Sequence, residues 1–489
     1  MRIAIIGAGI GGLGCAALLA EAGHSVSVFE RNDVLGGRAG VFEAEGFKFD
    51  MGPSWYLMPD VFKRFFASLG EDVDKKLELI RLDPSYRVFF EGKAEPVDVP
   101  ADLDGAVAIA ESIEPGSGPA FRAYVDRVGK QYRLVVDHYL YREMASPLSL
   151  VDRHAVSALK TLPLSGSIDK YVAQYFKNPR LRQLLEYTLV FLGASPYEAP
   201  ALYAMMAHVD FGLGVYYPQG GINTLVEAVA QMGRERGVNF QTNAQVERIE
   251  TTNGRAQALI LQGGERIEAD VVISNADMHH TETALLTPEA QSYSASYWES
   301  RIMAPSAVML YMGVKGKLER LQHHNLYFAA EWNEHFDTIY KQPAWPLNPS
   351  YYLCNPSKTD PNVAPKGYEN LFALIPVASD FGTANEAELF AERALDHISR
   401  TSGIPDLRER TVYKRVFKPQ DFTSRYNSYK GTALGLSHTL SQTAMFRPNN
   451  RSRKLSNLYY VGAGVHPGIG MPVCLISAQL VADRIAAEC

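Results

Sequence analysis

Residues 1–40 read MRIAIIGAGIGGLGCAALLAEAGHSVSVFERNDVLGGRAG, and this stretch decides the fold. An apolar run leads into the spacing Gly7-x-Gly9-x-x-Gly12, after which small and apolar residues recur at helical spacing. A second apolar run follows and ends at Glu30. The order of strand, glycine turn, helix, strand and terminal acid is typical of a dinucleotide-binding unit.

Each residue of this pattern has a physical role in holding a dinucleotide. Gly7 permits a tight turn, Gly9 lets the backbone approach a pyrophosphate, and Gly12 lets the helix pack closely on the strand. The N–H groups at the positive end of the helix would bind the phosphates. Glu30 is placed to accept hydrogen bonds from ribose hydroxyls. The alternative is a tight strand–helix turn that binds no ligand.

The following segment favours FAD over a nicotinamide cofactor. A nicotinamide domain would continue into another crossover helix and strand. Here the chain runs into VLGGRAG, where Gly37 opens the backbone again and Arg38 adds a cation. We interpret this as a second clamp on one extended cofactor. The loop FDMGPSWY is placed to meet that cofactor farther along, through Gly52, Pro53 and Ser54.

A second glycine loop lies in NLYYVGAGVHPGIGMPVCLISA, at residues 457–478. The pattern predicts a strand over 458–461, then the loop, then a helix from about Pro472. The N–H groups and positive dipole at that helix start would favour the negative charge of a reduced flavin. His466 lies in the loop, where it either contacts the flavin or braces the loop.

Composition excludes several classes of protein. The 489 residues carry 48 Lys plus Arg against 54 acids, a net charge of -6, so no general attraction to nucleic acid is expected. The opening strand leaves no room for a signal peptide, and no apolar run reaches the ~20 residues of a bilayer span. We therefore expect a cytoplasmic protein that is soluble or peripheral on a membrane. A basic run either contacts anionic headgroups or is a solvated loop; it comprises Arg447, Arg451, Arg453 and Lys454.

Neither the cysteines nor the paired histidines have the spacing of a metal site. The histidine pairs lack supporting acids at ligand spacing, so we expect no metal; they are His279 with His280 and His323 with His324. The cysteines are scattered without metal or redox spacing, which suits a reducing compartment; they are Cys15, Cys354, Cys474 and Cys489.

The predicted fold class is α/β, with a Rossmann-like FAD-binding domain built from the discontinuous segments 1–100, 215–280 and 425–489. In the middle segment, a helix and a three-stranded meander precede a buried strand that returns the chain to this domain. Segment 281–424 is mixed, with strands at VMLYMGV and NLFALIPVA, and we expect an inserted α+β substrate domain. Segment 101–214 is helical and rich in tyrosine, which indicates a ring-lined tunnel, a membrane-associating surface or ordinary helix packing.

Taken together, these motifs resemble the bacterial-type phytoene desaturase family, the FAD-containing carotenoid dehydrogenases among the amine-oxidase-like flavoproteins. The motifs that carry the resemblance are GAGIGGLGCAALLAEAGHSVSVFE, LGGRAG, DMGPS, YYPQGGINTLVEA and LYYVGAGVHPGIGMPVCLISA. The resemblance implies a linear carotenoid or other polyisoprenoid substrate and FAD as the tightly bound cofactor. It also implies quinone or oxygen as electron acceptor and attachment to one membrane leaflet.

The resemblance also implies roles for individual residues, but it identifies no catalytic residue. Arg31 and Gly37 are carried over as cofactor-binding residues without a more specific role. The remaining set is Gly7, Gly9, Gly12 and Arg38 at the pyrophosphate, Glu30 at the adenosine ribose, Val246 at the adenine, Gly52, Pro53 and Ser54 nearer the ring, and Gly462, His466, Gly470 and Met471 around the flavin.

The chemistry implied is transfer of hydride from an allylic carbon to flavin N5, with loss of a proton from the neighbouring carbon. The proton acceptor is an acid, a tyrosine or the flavin itself. Three alternatives stay open: a carotenoid isomerase or saturase of the same fold, an amine or protoporphyrinogen oxidase, and a prenyl-lipid carrier that binds no flavin.

Overall fold

The computed structural model describes residues 1–144, 158, 160–163 and 165–488. Within these residues the strands, numbered in chain order, are β1 (Arg2–Ile6), β2 (Ser25–Phe29), β3 (Val41–Ala44), β4 (Phe47–Asp50), β5 (Leu79–Arg81), β6 (Tyr86–Phe90), β7 (Val97–Val99), β8 (Tyr216–Pro218), β9 (Asn239–Gln241), β10 (Val246–Thr252), β11 (Arg255–Leu261), β12 (Arg266–Glu268), β13 (Val271–Ser274), β14 (Ser306–Lys315), β15 (His324–Phe328), β16 (Tyr351–Cys354), β17 (Tyr368–Val377), β18 (Thr411–Phe417) and β19 (Leu458–Tyr460).

The α-helices of the same residues are α1 (Ile10–Glu21), α2 (Pro59–Ser68), α3 (Val73–Lys76), α4 (Leu103–Ile113), α5 (Gly118–Val135), α6 (Ile168–Val172), α7 (Pro179–Glu186), α8 (Met206–His208), α9 (Asn223–Glu235), α10 (Met278–His280), α11 (Ala295–Glu299), α12 (Trp332–Tyr340), α13 (Ala384–Thr401), α14 (Leu407–Arg410), α15 (Pro419–Tyr426) and α16 (Met471–Glu488).

A five-stranded sheet joins three distant parts of the sequence. Its order is β19-β13-β1-β2-β9, and every pairing is parallel. Buried residues of β1 and β13 stand in register, as Ile5 does with Ile273. Helix α1 packs against α9 and α16, and a Cβ at Gly14 would lie only 2.6 Å from a methyl carbon of Leu475. The predicted α/β class is confirmed, and the buried strand predicted after the meander, β13, pairs directly with β1.

The predicted meander is the three-stranded sheet β10-β11-β12, which leads directly into β13. The turn between its first two strands has two residues, Asn253 and Gly254, and both have positive φ, at 52° and 70°. Asparagine and glycine are the residues that tolerate this backbone, and the resulting turn matches the twist of an antiparallel pair. Local turn chemistry therefore fixes this part of the fold.

A second sheet has seven strands in the order β18-β14-β17-β16-β15-β6-β7. The strands predicted at VMLYMGV and NLFALIPVA are confirmed as β14 and β17, which pair antiparallel. Helix α13 packs on one face, and the β3–β4 hairpin covers the other, where the rings of Phe49 and Tyr311 lie 5.7 Å apart. Strands β6 and β7 come from segment 1–100 but pair with this sheet. The domain division itself stays a prediction.

The described part of segment 101–214 is built from helices α4 to α8 and from aromatic contacts between them. Tyr124 is fully buried, and its ring lies 5.3 Å from the ring of Tyr175 and 5.6 Å from that of Phe176. Residues 145–157 of this segment lie outside the described residues, as does Cys489. Among the helices that the structure describes, none is long and apolar enough to cross a membrane.

Candidate cofactor-binding site

The first glycine loop connects β1 to α1 and leaves no space for side chains. Gly7 has a φ of 90°, which a residue with a Cβ adopts only at a cost. A Cβ at Gly12 would lie 2.3 Å from the carbonyl oxygen of Gly7. Gly9 is the N-cap of α1, and it provides no side chain to cap the helix start. The loop therefore presents backbone alone to whatever lies at the positive end of α1.

Glu30 lies directly beside this loop, at the end of β2. It is 5% exposed, and its carboxylate accepts a hydrogen bond of 2.8 Å from the Ala8 N–H. The other oxygen accepts two hydrogen bonds of 2.9 Å from the backbone and side-chain nitrogens of Asn32. Glu30 is thus held in place beside the glycine loop, and its carboxylate would repel a 2′-phosphate.

The LGGRAG segment lies on the glycine loop. The Gly36 N–H donates to the Ala8 carbonyl at 2.8 Å, and a Cβ at Gly37 would lie 3.3 Å from the Gly9 Cα. Arg38 donates from Nη2 to the Ser428 hydroxyl at 2.8 Å, while its buried Nε has no hydrogen-bond partner. A buried guanidinium nitrogen without an acceptor points to a missing anionic ligand.

Asn275 connects the first glycine loop to the second. Its side-chain oxygen accepts from the Gly12 N–H at 2.9 Å, and its side-chain nitrogen donates to the Val461 carbonyl at 3.0 Å. Gly462 has a φ of 104°, and a Cβ there would lie 2.4 Å from the same amide nitrogen. We name this contact the Asn275 clasp. It brings residues near both ends of the sequence to one place.

A buried arginine stabilises the second glycine loop through hydrogen bonds. Arg447 is 4% exposed and donates to four carbonyl oxygens, among them those of Val465 at 3.1 Å and Ala463 at 2.7 Å. Burial lowers its pKa to about 10. The sequence analysis placed Arg447 in a basic surface run, and that interpretation is wrong for this residue because its guanidinium is used to satisfy loop carbonyls.

His466 is buried within the same loop. Its Nε2 lies 2.9 Å from the Arg142 carbonyl oxygen, while Nδ1 is buried without a partner. Burial lowers the pKa of His466 to about 4, so its ring is neutral near pH 7. The contact with Arg142 corresponds to the bracing role considered for this residue. Gly470, with a φ of 118°, and Met471 then form the start of α16.

The loop after β4 extends from the LGGRAG segment toward the second sheet. A Cβ at Gly52 would lie 2.8 Å from the Arg38 carbonyl oxygen, so the loop starts against the LGGRAG segment. Two residues on, after Pro53, the Ser54 hydroxyl lies 2.7 Å from the Tyr352 hydroxyl on β16. The loop is therefore placed between the two sheets.

Val246 and Arg31 lie on the Glu30 side of the loop. Val246 starts β10 and is buried, and the nearby Ala244 N–H donates to the Glu30 carbonyl at 2.8 Å. Arg31 donates to the Asn427 side-chain oxygen at 2.5 Å. The structure thus gathers Gly7, Gly9, Gly12, Glu30, Gly37, Arg38 and Gly462 around one position, while Ser54 and His466 contact outlying elements.

Asp210 and Glu186 are buried carboxyls outside this site, and the sequence analysis identified neither. Asp210 is 4% exposed and accepts hydrogen bonds from Tyr86 at 2.7 Å and Tyr187 at 3.1 Å. Burial raises the pKa of Asp210 to about 7, although both hydroxyls oppose that rise. Burial likewise raises the pKa of Glu186 to about 8. Both groups can therefore bind and release a proton near neutrality.

The residues of the site fit an FAD molecule. An anionic pyrophosphate at the start of α1 would complement the helix dipole and supply the acceptor that Arg38 lacks. The glycines provide the close backbone approach that this ligand needs, and Glu30 provides a ribose acceptor.

Comparisons with known proteins agree with this fit. A family model described as flavin-containing amine oxidoreductase matches residues 10–486. The chain is 45% identical over 487 residues to the carotenoid 3,4-desaturase of Haloarcula japonica, covering 99% of this chain and 97% of that protein. It is 34% identical to the zeta-carotene-forming phytoene desaturase of Myxococcus xanthus, covering 99% and 93%.

Solved structures share the fold at lower identity. An oxidoreductase from Methanosarcina mazei superposes with a TM-score of 0.67 at 18% identity, covering 99% of this chain and all of the other. Wild-type putrescine oxidase bound to putrescine superposes with a TM-score of 0.63, also at 18% identity, covering 100% and 99%. At this identity the match supports the fold alone.

Proposed function

We propose that the chain introduces a double bond into a linear carotenoid. The premise is that it belongs to the flavin-containing amine oxidoreductases and, within them, to the carotenoid desaturases. The protein is an FAD-dependent oxidoreductase that acts on CH–CH groups. The observation that carries this function is the 45% identity to a carotenoid desaturase over nearly the whole chain. The Asn275 clasp supports it, because it unites both flavin motifs.

When bound, FAD supplies the hydride acceptor for this reaction. The chain's own residues would hold it as follows: Gly7, Gly9, Gly12, Gly37 and Arg38 at the pyrophosphate, Glu30, Arg31 and Val246 at the adenosine end, and Gly52, Pro53, Ser54, Gly462, His466, Gly470 and Met471 toward the ring. The buried loops exclude water from the reacting end, and the neutral His466 ring fixes the second loop against Arg142.

For the proton we propose Asp210 as acceptor. Trp55 follows Ser54 in the loop between the sheets, and its ring lies 5.7 Å from that of Tyr86. Tyr86 in turn donates to Asp210. A carboxyl with a pKa of about 7 is matched to proton transfer at neutral pH.

The preferred substrate, we propose, is a carotenoid that already carries a conjugated polyene. The relative at 45% identity is named a carotenoid 3,4-desaturase, whereas the phytoene desaturase of Myxococcus xanthus is 34% identical. Purified holoenzyme would be incubated in liposomes, with a quinone, with either phytoene or a partly desaturated carotene. Chromatography should show a longer chromophore from the second substrate. An isomer without net oxidation, or no product from several polyenes, would reject the function.

We also infer that the protein attaches to one membrane leaflet, because its substrate dissolves in lipid. Exposed apolar side chains support one surface for this contact. Leu440 is 66% exposed and Phe446 58%, and Ile302 beside them is 43% exposed. Ile302 is tied to this segment by a 2.9 Å hydrogen bond from its N–H to Gln442. We call Ile302, Leu440 and Phe446 the apolar rim; Arg301, next to it, provides a cation for lipid headgroups.

A further inference from the structure

Two adjacent histidines and a cysteine meet in the interior of the second sheet. His323 and His324 stand at the start of β15, and Cys354 ends β16. The antiparallel register places His324 opposite Cys354. The three residues are 3%, 0% and 3% exposed, and one ligand atom from each lies within 4.8 Å of the other two. Soft ligands of this kind rarely converge in a core without a reason.

The surrounding hydrogen bonds hold both imidazoles through the same nitrogen. His323 Nδ1 lies 2.7 Å from the Thr359 hydroxyl, and His324 Nδ1 lies 2.7 Å from the Tyr352 hydroxyl. Both Nε2 atoms are buried and have no hydrogen-bond partner. Metal-binding histidines commonly use one nitrogen for a second-shell hydrogen bond and the other for the ion. Two buried imidazole nitrogens without a partner, on adjacent residues, point to a missing ligand.

The electrostatic surroundings favour a cation at this cluster. Asp360 is fully buried and accepts from the Tyr217 hydroxyl at 3.1 Å, and the Tyr217 ring lies 4.6 Å from that of His323. Asp50 lies on the Cys354 side, where its charge acts on the thiol. Lys48 is the counter-charge that acts on Asp50. The buried carboxyl of Asp360 thus places negative charge beside His323, which favours a cation there.

We propose that His323, His324 and Cys354 bind a zinc ion. Imidazole and thiolate are the ligands that zinc prefers, whereas magnesium and calcium need oxygen. On binding, the Cys354 sulfur exchanges its proton for the metal bond, and the proton passes to solvent. Zinc bonds of about 2.0–2.3 Å would place the ligand atoms roughly 3.3–3.8 Å apart, so the cluster closes by about 1 Å through side-chain rotation.

Three protein ligands leave the fourth position of a tetrahedral zinc ion to water. The ion would clamp β15 to β16 beneath Trp55, whose ring stacks on His324 with centroids 4.0 Å apart and planes 8° from parallel. This inference does not rest on the proposed desaturase function, because metal content is measured independently of flavin and of product. It differs from the sequence expectation of no metal, which considered only ligands close in sequence.

The test begins with purified holoenzyme freed of loosely bound ions on a chelating resin. Plasma mass spectrometry should find about one zinc per chain, and Cys354→Ala should lower that content roughly tenfold or more. Cys15→Ala is the matched control, because Cys15 is also fully buried but lies on α1, away from the cluster. The control should keep its zinc.

A second measurement covers the case in which Cys354→Ala fails to fold. Cobalt added to wild-type holoenzyme after removal of zinc should produce tetrahedral absorption bands to the red of flavin, and added zinc should abolish them. Wild-type protein that contains no zinc and shows no cobalt bands would overturn the proposal. Full zinc content in a folded Cys354→Ala variant would overturn it as well.

Discussion

Around the five-stranded parallel sheet, backbone atoms approach one another so closely that glycine is required. Around the seven-stranded sheet, aromatic rings and buried polar groups fill the interior instead. Gly12 and Gly462 meet at Asn275 with no room for a Cβ. On the other side, Trp55 stacks on His324, and Tyr86 donates to Asp210. A cofactor held by backbone groups suits the first construction, and the rings of the second offer surfaces against which the proposed polyene would pack.

The comparison predicts that added side-chain volume does the most damage on the parallel-sheet side. Gly12→Val should abolish flavin binding, because its Cβ would lie 2.3 Å from the backbone oxygen of Gly7, which cannot move aside. The measurement is the flavin absorbance of purified protein, with the melting temperature as a check on folding. Ala22→Val is the control, since Ala22 is exposed at the end of α1 and has a φ of -74°, which valine can adopt. A yellow Gly12→Val protein would contradict the close packing.

Removing the clasp should have the next largest effect. Asn275→Ala deletes the hydrogen bonds to the Gly12 N–H and the Val461 carbonyl, at about 1–3 kcal/mol in total, so flavin should bind roughly tenfold to a hundredfold more weakly. Titration of the apoprotein with FAD measures this. Asn348→Ala, on the seven-stranded-sheet side, removes a partly exposed asparagine and should leave FAD affinity unchanged. Equal affinities for both variants would show that the clasp does not hold the site.

On the side of the seven-stranded sheet, the buried Glu186 should make the stability of the protein depend on pH. Burial raises the pKa of Glu186 to about 8, with the charge of Asp169 adding to the effect, so the folded protein binds that proton more tightly than the unfolded chain. The free energy of unfolding should therefore fall as pH rises from about 4.5 to about 8, by up to a few kcal/mol. Glu186→Gln should flatten that fall.

Urea unfolding at pH 5 and pH 8 measures the difference between Glu186→Gln and wild type. Glu289→Gln, which changes an exposed glutamate, is the control and should follow the wild-type pH dependence. If Glu186→Gln loses as much stability between the two pH values as wild type does, the buried acid is not the cause.

The smallest expected effect concerns the apolar rim. Leu440→Asp with Phe446→Asp should weaken binding to anionic vesicles by about 1–2 kcal/mol for the pair, because only the exposed part of each side chain enters the lipid. Leu347→Asp is the control, because Leu347 is 91% exposed and lies in the connection that leads into β16 of the seven-stranded sheet. Sedimentation with vesicles measures both. Equal losses from both variants would indicate a general effect of charge rather than a docking surface.

The two regions also differ in how far sequence predicts them. The glycine loops, the meander and the strands β14 and β17 were predicted, because turn chemistry and periodicity act over a few residues. Asn275 was missed: its only signal is an asparagine that ends a buried strand, and its partners lie more than 180 residues away. Two further groups were missed for the same reason: Asp210 with its tyrosine partners, and the cluster of His323, His324 and Cys354. In both groups, tertiary contacts alone bring the members together.

The order of the five-stranded sheet has a consequence for how the protein is made. Its outer strand β19 is synthesised long after β1, β2 and β13, against which the sheet is built. Until residues 458–462 have left the ribosome, Asn275 has no Val461 carbonyl to bind and the second glycine loop does not exist. Until then β13 is an open edge of the parallel sheet, and the complete cofactor site forms only once residues 458–462 are exposed.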